Sequence, residues 1–325
     1  MDSSDPSKTT DETRNPYGLW RMAAAARVTM MEMAVLAGHL LLYPTGVLQE
    51  PPPPALVPRQ RTAPPAVAQP SGPPHAPHAP YAPSGPPRPS GRTPVAGPVP
   101  APVPVADIEA RTGSGADGQL PVLLLHGFVD NRSVFTPLRR NLRRHGWRQV
   151  SALNYSPLTS DVRHAAALLG RHVEELCERT GSPRIDLVGH SLGGLIGRYY
   201  AQRLGGDVRV RTLVTLATPH AGTRAVPFAD PHPVVRQMRP HSALMAELAL
   251  PAPDCRTRFI AFWSDADHIM APTESARIDH PDLIIENIGV HGVGHLAMAV
   301  NAQVVAGVRQ ALRGDSGSFE AVDAA

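Results

Sequence analysis

Cysteine, lysine and aromatic residues are all scarce in this chain of 325 residues. Its two cysteines, Cys177 and Cys255, are too few to frame a disulfide-rich secreted module, and two unpaired thiols are the simplest expectation. Lys8 is the single lysine among 31 basic residues, so the positive charge is almost entirely arginine. Aromatic residues make up only 5% of the chain. Long apolar runs are missing as well. The densest, Met33–Leu42, is about ten residues, where a spanning helix needs roughly 20. Arg27, Glu32 and His39 interrupt the wider window, residues 22–48, and no small-residue cleavage site follows it, so a secretory leader fits poorly. An amphipathic helix lying on a membrane or protein surface fits best, with membrane-associated and cytoplasmic locations both open.

Proline, by contrast, is abundant: of 37 in the chain, 21 fall between Pro51 and Pro104. Proline lacks the backbone donor and clashes inside helices, so this stretch reads as an extended tether rather than helix or sheet. The expected organisation is therefore an apolar helical segment (1–50), a proline-rich linker (51–106), a folded domain (107–313) and an acidic disordered tail (314–325). The formal charge of +3 divides among these parts, with the linker carrying four arginines and no acid. The basic balance is thus no partner signal. Arg139, Arg140, Arg143, Arg144 and Arg148 cluster at helical spacing, as on a solvated helix face.

From residue 107 short apolar runs alternate with amphipathic ones. Strands are expected at 121–125, 148–155, 185–188, 213–217, 259–263 and 283–288. Helices are expected from Ser160 or Asp161 to Thr180, over 192–204 and over 296–312. Such alternation argues for a mostly parallel sheet with helices on both faces, its reactive groups at the carboxyl ends of the strands.

Gly189-His-Ser-Leu-Gly193 lies between an expected strand and an expected helix. In that context G-x-S-x-G makes a sharp turn that lifts the Ser191 hydroxyl off the sheet, which points to a nucleophile. A serine nucleophile needs a base, and the base an orienting carboxylate.

His126-Gly127, Gly189–Gly194 and Ala217-Thr-Pro-His-Ala-Gly-Thr223 together resemble the α/β-hydrolase superfamily, and within it bacterial lipases and esterases. Ser264-Asp-Ala-Asp-His268 and His291-Gly-Val-Gly-His295 resemble the acid and histidine loops of small lidless lipases. The resemblance covers roughly residues 118–312 and implies an α/β-hydrolase fold acting by a Ser191–His295–Asp267 triad. It favours His295 over His291 and Asp267 over Asp265. It also implies an oxyanion hole from the backbone N–H groups of Phe128 and Leu192. Leu244, Met245 and Leu248 could form an apolar rim over an ester or lipid substrate, with core packing the alternative. No cofactor, metal or nucleic-acid partner is expected, since His232, His241 and His280 lack ligand spacing. Alternatives on the same triad are acyl transfer, thioester or amide cleavage and glycolipid deacylation; an inactive tethered binding module is the alternative of another class.

Overall fold

The computed structural model describes residues 26–38, 41, 119–128, 130–155, 161–225 and 232–314. The chain divides into two units, 1–55 with 113–325, and 56–112. The second unit lies outside the described residues, as do the whole proline-rich linker, 51–106, and all of the acidic tail but Gly314.

Helix α1 covers 26–38. The sheet strands are β1 (Val122–Leu125), β2 (Val150–Leu153), β3 (Ile185–His190), β4 (Val210–Leu216), β5 (Arg258–Ser264) and β6 (Ile284–Val290). Between and after them run α2 (Thr136–Arg144), α3 (Val162–Thr180), α4 (Leu192–Arg203), α5 (Pro233–Gln237), α6 (Ala243–Leu248) and α7 (Ala302–Arg313). The strands pair in the order β2-β1-β3-β4-β5-β6, every pair parallel.

Period-two side-chain alternation divides the strands between two cores. Leu123, Leu125, Ile185, Leu187, Leu213, Phe259 and Ala261 face one cluster, which α3, α4, α5 and α6 cover. Val122, Leu124, Val188, Val214, Leu216, Ile260 and Phe262 face the other, covered by α2 and α7. Both faces are therefore dry, which explains why β1 reads as an unbroken apolar run. Cys177 and Cys255 are buried free thiols, and burial raises the pKa of each.

Local signals set most boundaries. Asp161 caps α3 by accepting from Arg163 N at 2.6 Å, and Gly181 stops it at φ 67°. The arginine cluster falls on α2 and just after it, with Arg140, Arg143, Arg144 and Arg148 exposed while Leu138 and Leu142 are buried. The final helix departs from expectation. Instead of one helix over 296–312, a 3-10 turn, Ala297–Ala299, precedes α7. Asn301 causes the break: its side chain accepts from Gln303 N at 2.9 Å and Val304 N at 3.2 Å, so it caps a new helix.

Among the described residues no helix is long and apolar enough to cross a membrane. The described part of 22–48 packs on protein: Val28 is buried in α1 and Val35 rests on the second core. Strand order reverses direction between β1 and β3, opening a crevice beyond their carboxyl ends. His126-Gly127 and Ser191 emerge there, side by side.

Candidate active site

Ser191 sits between β3 and α4 with φ 51° and ψ −119°, a conformation that costs a non-glycine residue on the order of 1–3 kcal/mol. The surrounding backbone enforces it. Ser191 N donates to Leu216 O at 2.9 Å, and its carbonyl accepts from Gly194 N and Thr218 Oγ1, each at 3.0 Å. The motif's glycines are steric necessities: a Cβ at Gly189 would fall 2.5 Å from Gly194 N, and one at Gly193 would collide with the carbonyl of Leu125. The hydroxyl makes no hydrogen bond to a described residue, so none joins it to His295 here; such contacts often tighten only with substrate bound.

Two acid–histidine pairs stand apart after β5 and β6. His295 Nδ1 lies 2.9 Å from Asp267 Oδ2 and 3.2 Å from Oδ1, with Asp267 fully buried. Ile269 N and Met270 N donate to Asp267 Oδ1 at 3.0 and 3.1 Å, which aims the carboxylate at the imidazole. The other pair, His291 Nδ1 with Asp265 Oδ2 at 2.8 Å, is about half exposed, and Asp265 also accepts from Gly292 N at 3.0 Å. Burial separates the pairs where spacing alone left them in competition.

The loop after β1 lies against the serine turn, since a Cβ at Gly127 would reach within 3.4 Å of Ser191 Cβ. His126 is held inside this loop: Nδ1 is 2.8 Å from Gly127 O, its ring stacks on Tyr155 at 4.1 Å, and the Tyr155 hydroxyl donates to its carbonyl. Burial lowers its pKa. Phe128 follows, half-buried, its ring edge-on to His232 at 4.9 Å. Leu192 opens α4, so its N–H is among the donors without an intrahelical partner.

His190 and Asp130 were not singled out from sequence. His190 occupies a variable position of the serine motif, yet it is buried between Asp130 Oδ2, 3.2 Å from Nδ1, and His295 O, 3.0 Å from Nε2. Its ring centroid is 5.0 Å from that of His295. No linear pattern announces such a bridge. Arg198, on α4, is likewise buried; it donates to His220 O at 3.1 Å and Leu248 O at 3.2 Å, and burial pushes its pKa down to about 10.

Leu244, Met245 and Leu248 do form a helix, α6, but as part of the first core and not as an open rim, with exposures of 0%, 8% and 1%. Glu247 anchors α6 by accepting from Arg163 Nη2 at 2.6 Å and from the Tyr199 hydroxyl at 2.8 Å. Pinned this way, α6 turns its apolar side inward, toward the first core.

Parallel sheet, strand order, strained serine turn and buried acid–histidine pair occur together at one crevice, and residues 121–239 match the family model described as alpha/beta hydrolase fold. The chain has the α/β-hydrolase fold. Over part of its length the chain resembles lipases and esterases. It is 31% identical over 118 residues to a triacylglycerol lipase of Pseudarthrobacter phenanthrenivorans, covering 34% of this chain and 35% of that protein. A triacylglycerol lipase of Burkholderia plantarii is also 31% identical over 118 residues, covering 34% of this chain and 31% of the relative. The chain thus spans about a third of the length of these curated relatives. Among solved structures, lipase B of Aspergillus fumigatus superposes with a TM-score of 0.54 at 16% identity, over 62% of this chain and 54% of that one.

Proposed function

We propose that this α/β-hydrolase is a serine carboxylic-ester hydrolase of lipase or esterase type, with Ser191 as nucleophile, His295 as base and Asp267 as the orienting acid. The observation that carries the reading is the buried 2.9 Å pair of His295 and Asp267 at the crevice where Ser191 is held at φ 51°. The lipase relatives supply the substrate class.

In the first step Ser191 Oγ attacks the ester carbonyl carbon and its proton passes to His295 Nε2. Asp267 keeps Nδ1 protonated and stabilises the imidazolium. The carbonyl oxygen becomes an oxyanion that the N–H groups of Leu192 and Phe128 receive, aided by the α4 N-terminus. Collapse breaks the bond to the alcohol oxygen, which takes the proton from His295, and the acyl group stays on Ser191. Water then gives a proton to His295, attacks the acyl carbon and releases the acid as the proton returns to Ser191 Oγ.

The test is hydrolysis of p-nitrophenyl esters together with labelling by a fluorophosphonate probe. Ser191→Ala is expected to abolish both while unfolding at the same temperature as the parent. Retained ester hydrolysis in that variant sinks the assignment.

A further inference from the structure

Glu32, on α1, reaches the histidine loop across a sequence separation of 264 residues. Its Oε2 accepts from Leu296 N and its Oε1 from Ala297 N, both at 3.0 Å. These donors begin the 3-10 turn Ala297–Ala299, which has no side-chain cap of its own. The distant carboxylate therefore supplies a bidentate, charge-assisted cap. Gly294 leaves the space it needs, because a Cβ there would lie 2.5 Å from Glu32 Cδ and 2.6 Å from Cγ. Val35 packs on the second core cluster, so α1 also rests on the domain through an apolar contact.

The geometry bears directly on His295. One planar peptide unit joins His295 to Leu296, with the His295 carbonyl at one end and the Leu296 N–H at the other. His190 Nε2 binds the carbonyl at 3.0 Å, and Glu32 Oε2 binds the N–H at 3.0 Å. A rigid plane held at both ends fixes the torsion that sets where the His295 side chain leaves the backbone. Asp267 then fixes the ring. We propose that Glu32 is a positioning residue for His295 and that α1 acts as a clasp on the histidine loop. This rests on the reading of His295 as the base.

The experiment compares the full chain with Glu32→Ala, Glu32→Gln, Gly294→Ala, the Glu32→Ala/Gly294→Ala pair and His295→Ala. Each is assayed for kcat and KM on a p-nitrophenyl ester, for the rate of fluorophosphonate labelling at Ser191, and for unfolding temperature. Rates are expressed per folded, titrated site. Glu32→Ala is expected to lower kcat by roughly tenfold or more with KM nearly unchanged, because a misplaced base harms the transition state and not ground-state binding. Glu32→Gln, which keeps one acceptor oxygen, is expected to recover part of the loss. Gly294→Ala forces the Glu32 side chain out, so its effect and that of Glu32→Ala should be strongly non-additive in the pair. A folded Glu32→Ala enzyme with wild-type kcat and labelling rate overturns the proposal, as does an additive pair. If His295→Ala retains activity, or the parent chain neither hydrolyses ester nor takes the probe, the reading of His295 as base falls and this inference falls with it. If His295→Ala is inactive and the Glu32 variants are unimpaired, this inference alone falls.

Discussion

His190 joins Asp130, in the loop after β1, to the backbone of His295, in the loop after β6. Its Nδ1 is 3.2 Å from Asp130 Oδ2 and its Nε2 is 3.0 Å from the His295 carbonyl oxygen. Burial alone would push the imidazole pKa down, but the hydrogen bond and charge of Asp130, the His295 carbonyl and the charge of Asp267 more than offset that. The net shift is upward from 6.5. A raised folded-state pKa stabilises the protein fully below the unfolded value of about 6.5, and that contribution is lost as pH rises through the folded value. The stability difference between the parent and His190→Gln should therefore shrink as pH is raised from about 5.5 to 9, measured by urea unfolding. Buried neutral His220, whose pKa burial lowers, acts in the opposite sense in both proteins and cancels in the difference. A difference that grows with pH contradicts the bridge.

The two acid–histidine pairs predict opposite outcomes. Asp267→Asn should cut kcat on the order of 10³–10⁴-fold by letting His295 adopt the wrong tautomer. Asp265→Asn loses only an exposed pair, worth about 0–1 kcal/mol, and should leave kcat within about twofold. Steady-state kinetics on one ester decides it, and equal losses in both variants would remove Asp267 from its proposed role.

Gly193 is where the serine turn and the β1 loop touch, since its Cβ position is filled by the backbone of Leu125 and His126. Gly193→Ala should cost at least about 1–3 kcal/mol, because backbone cannot yield as a flexible side chain can. It should also slow fluorophosphonate labelling by displacing the donors beside Ser191. A variant as stable and as reactive as the parent would show that the two loops move freely.

Leu248, buried in the first core, gives a separate prediction. Leu248→Ala should destabilise by about 2–5 kcal/mol in urea unfolding. Preference among p-nitrophenyl esters of increasing chain length should stay the same. A shifted preference with little loss of stability would return α6 to the substrate-binding surface.

Much of the architecture was legible because its causes are local. An unbroken apolar run marked the buried strand β1, Asp161 and Gly181 marked the ends of α3, and the glycines around Ser191 marked the strained turn. The break before α7 was not, because the apolar pattern continues from Leu296 while Asn301 can sit inside a helix or cap one. Competition between those two roles is settled by neighbours in space.

The chain by itself determined where a serine must be strained, where both faces of a strand must be dry, and which histidines and carboxylates were available. Those are consequences of side-chain shape and period along the backbone. Only the tertiary structure decided that Asp267 is buried against His295 while Asp265 is left to solvent. It alone decided that α6 belongs to the core, and that His190 and Glu32 grip one peptide unit from opposite ends. Burial and hydrogen-bond partnership depend on residues scores of positions away, and no short stretch of sequence carries that information.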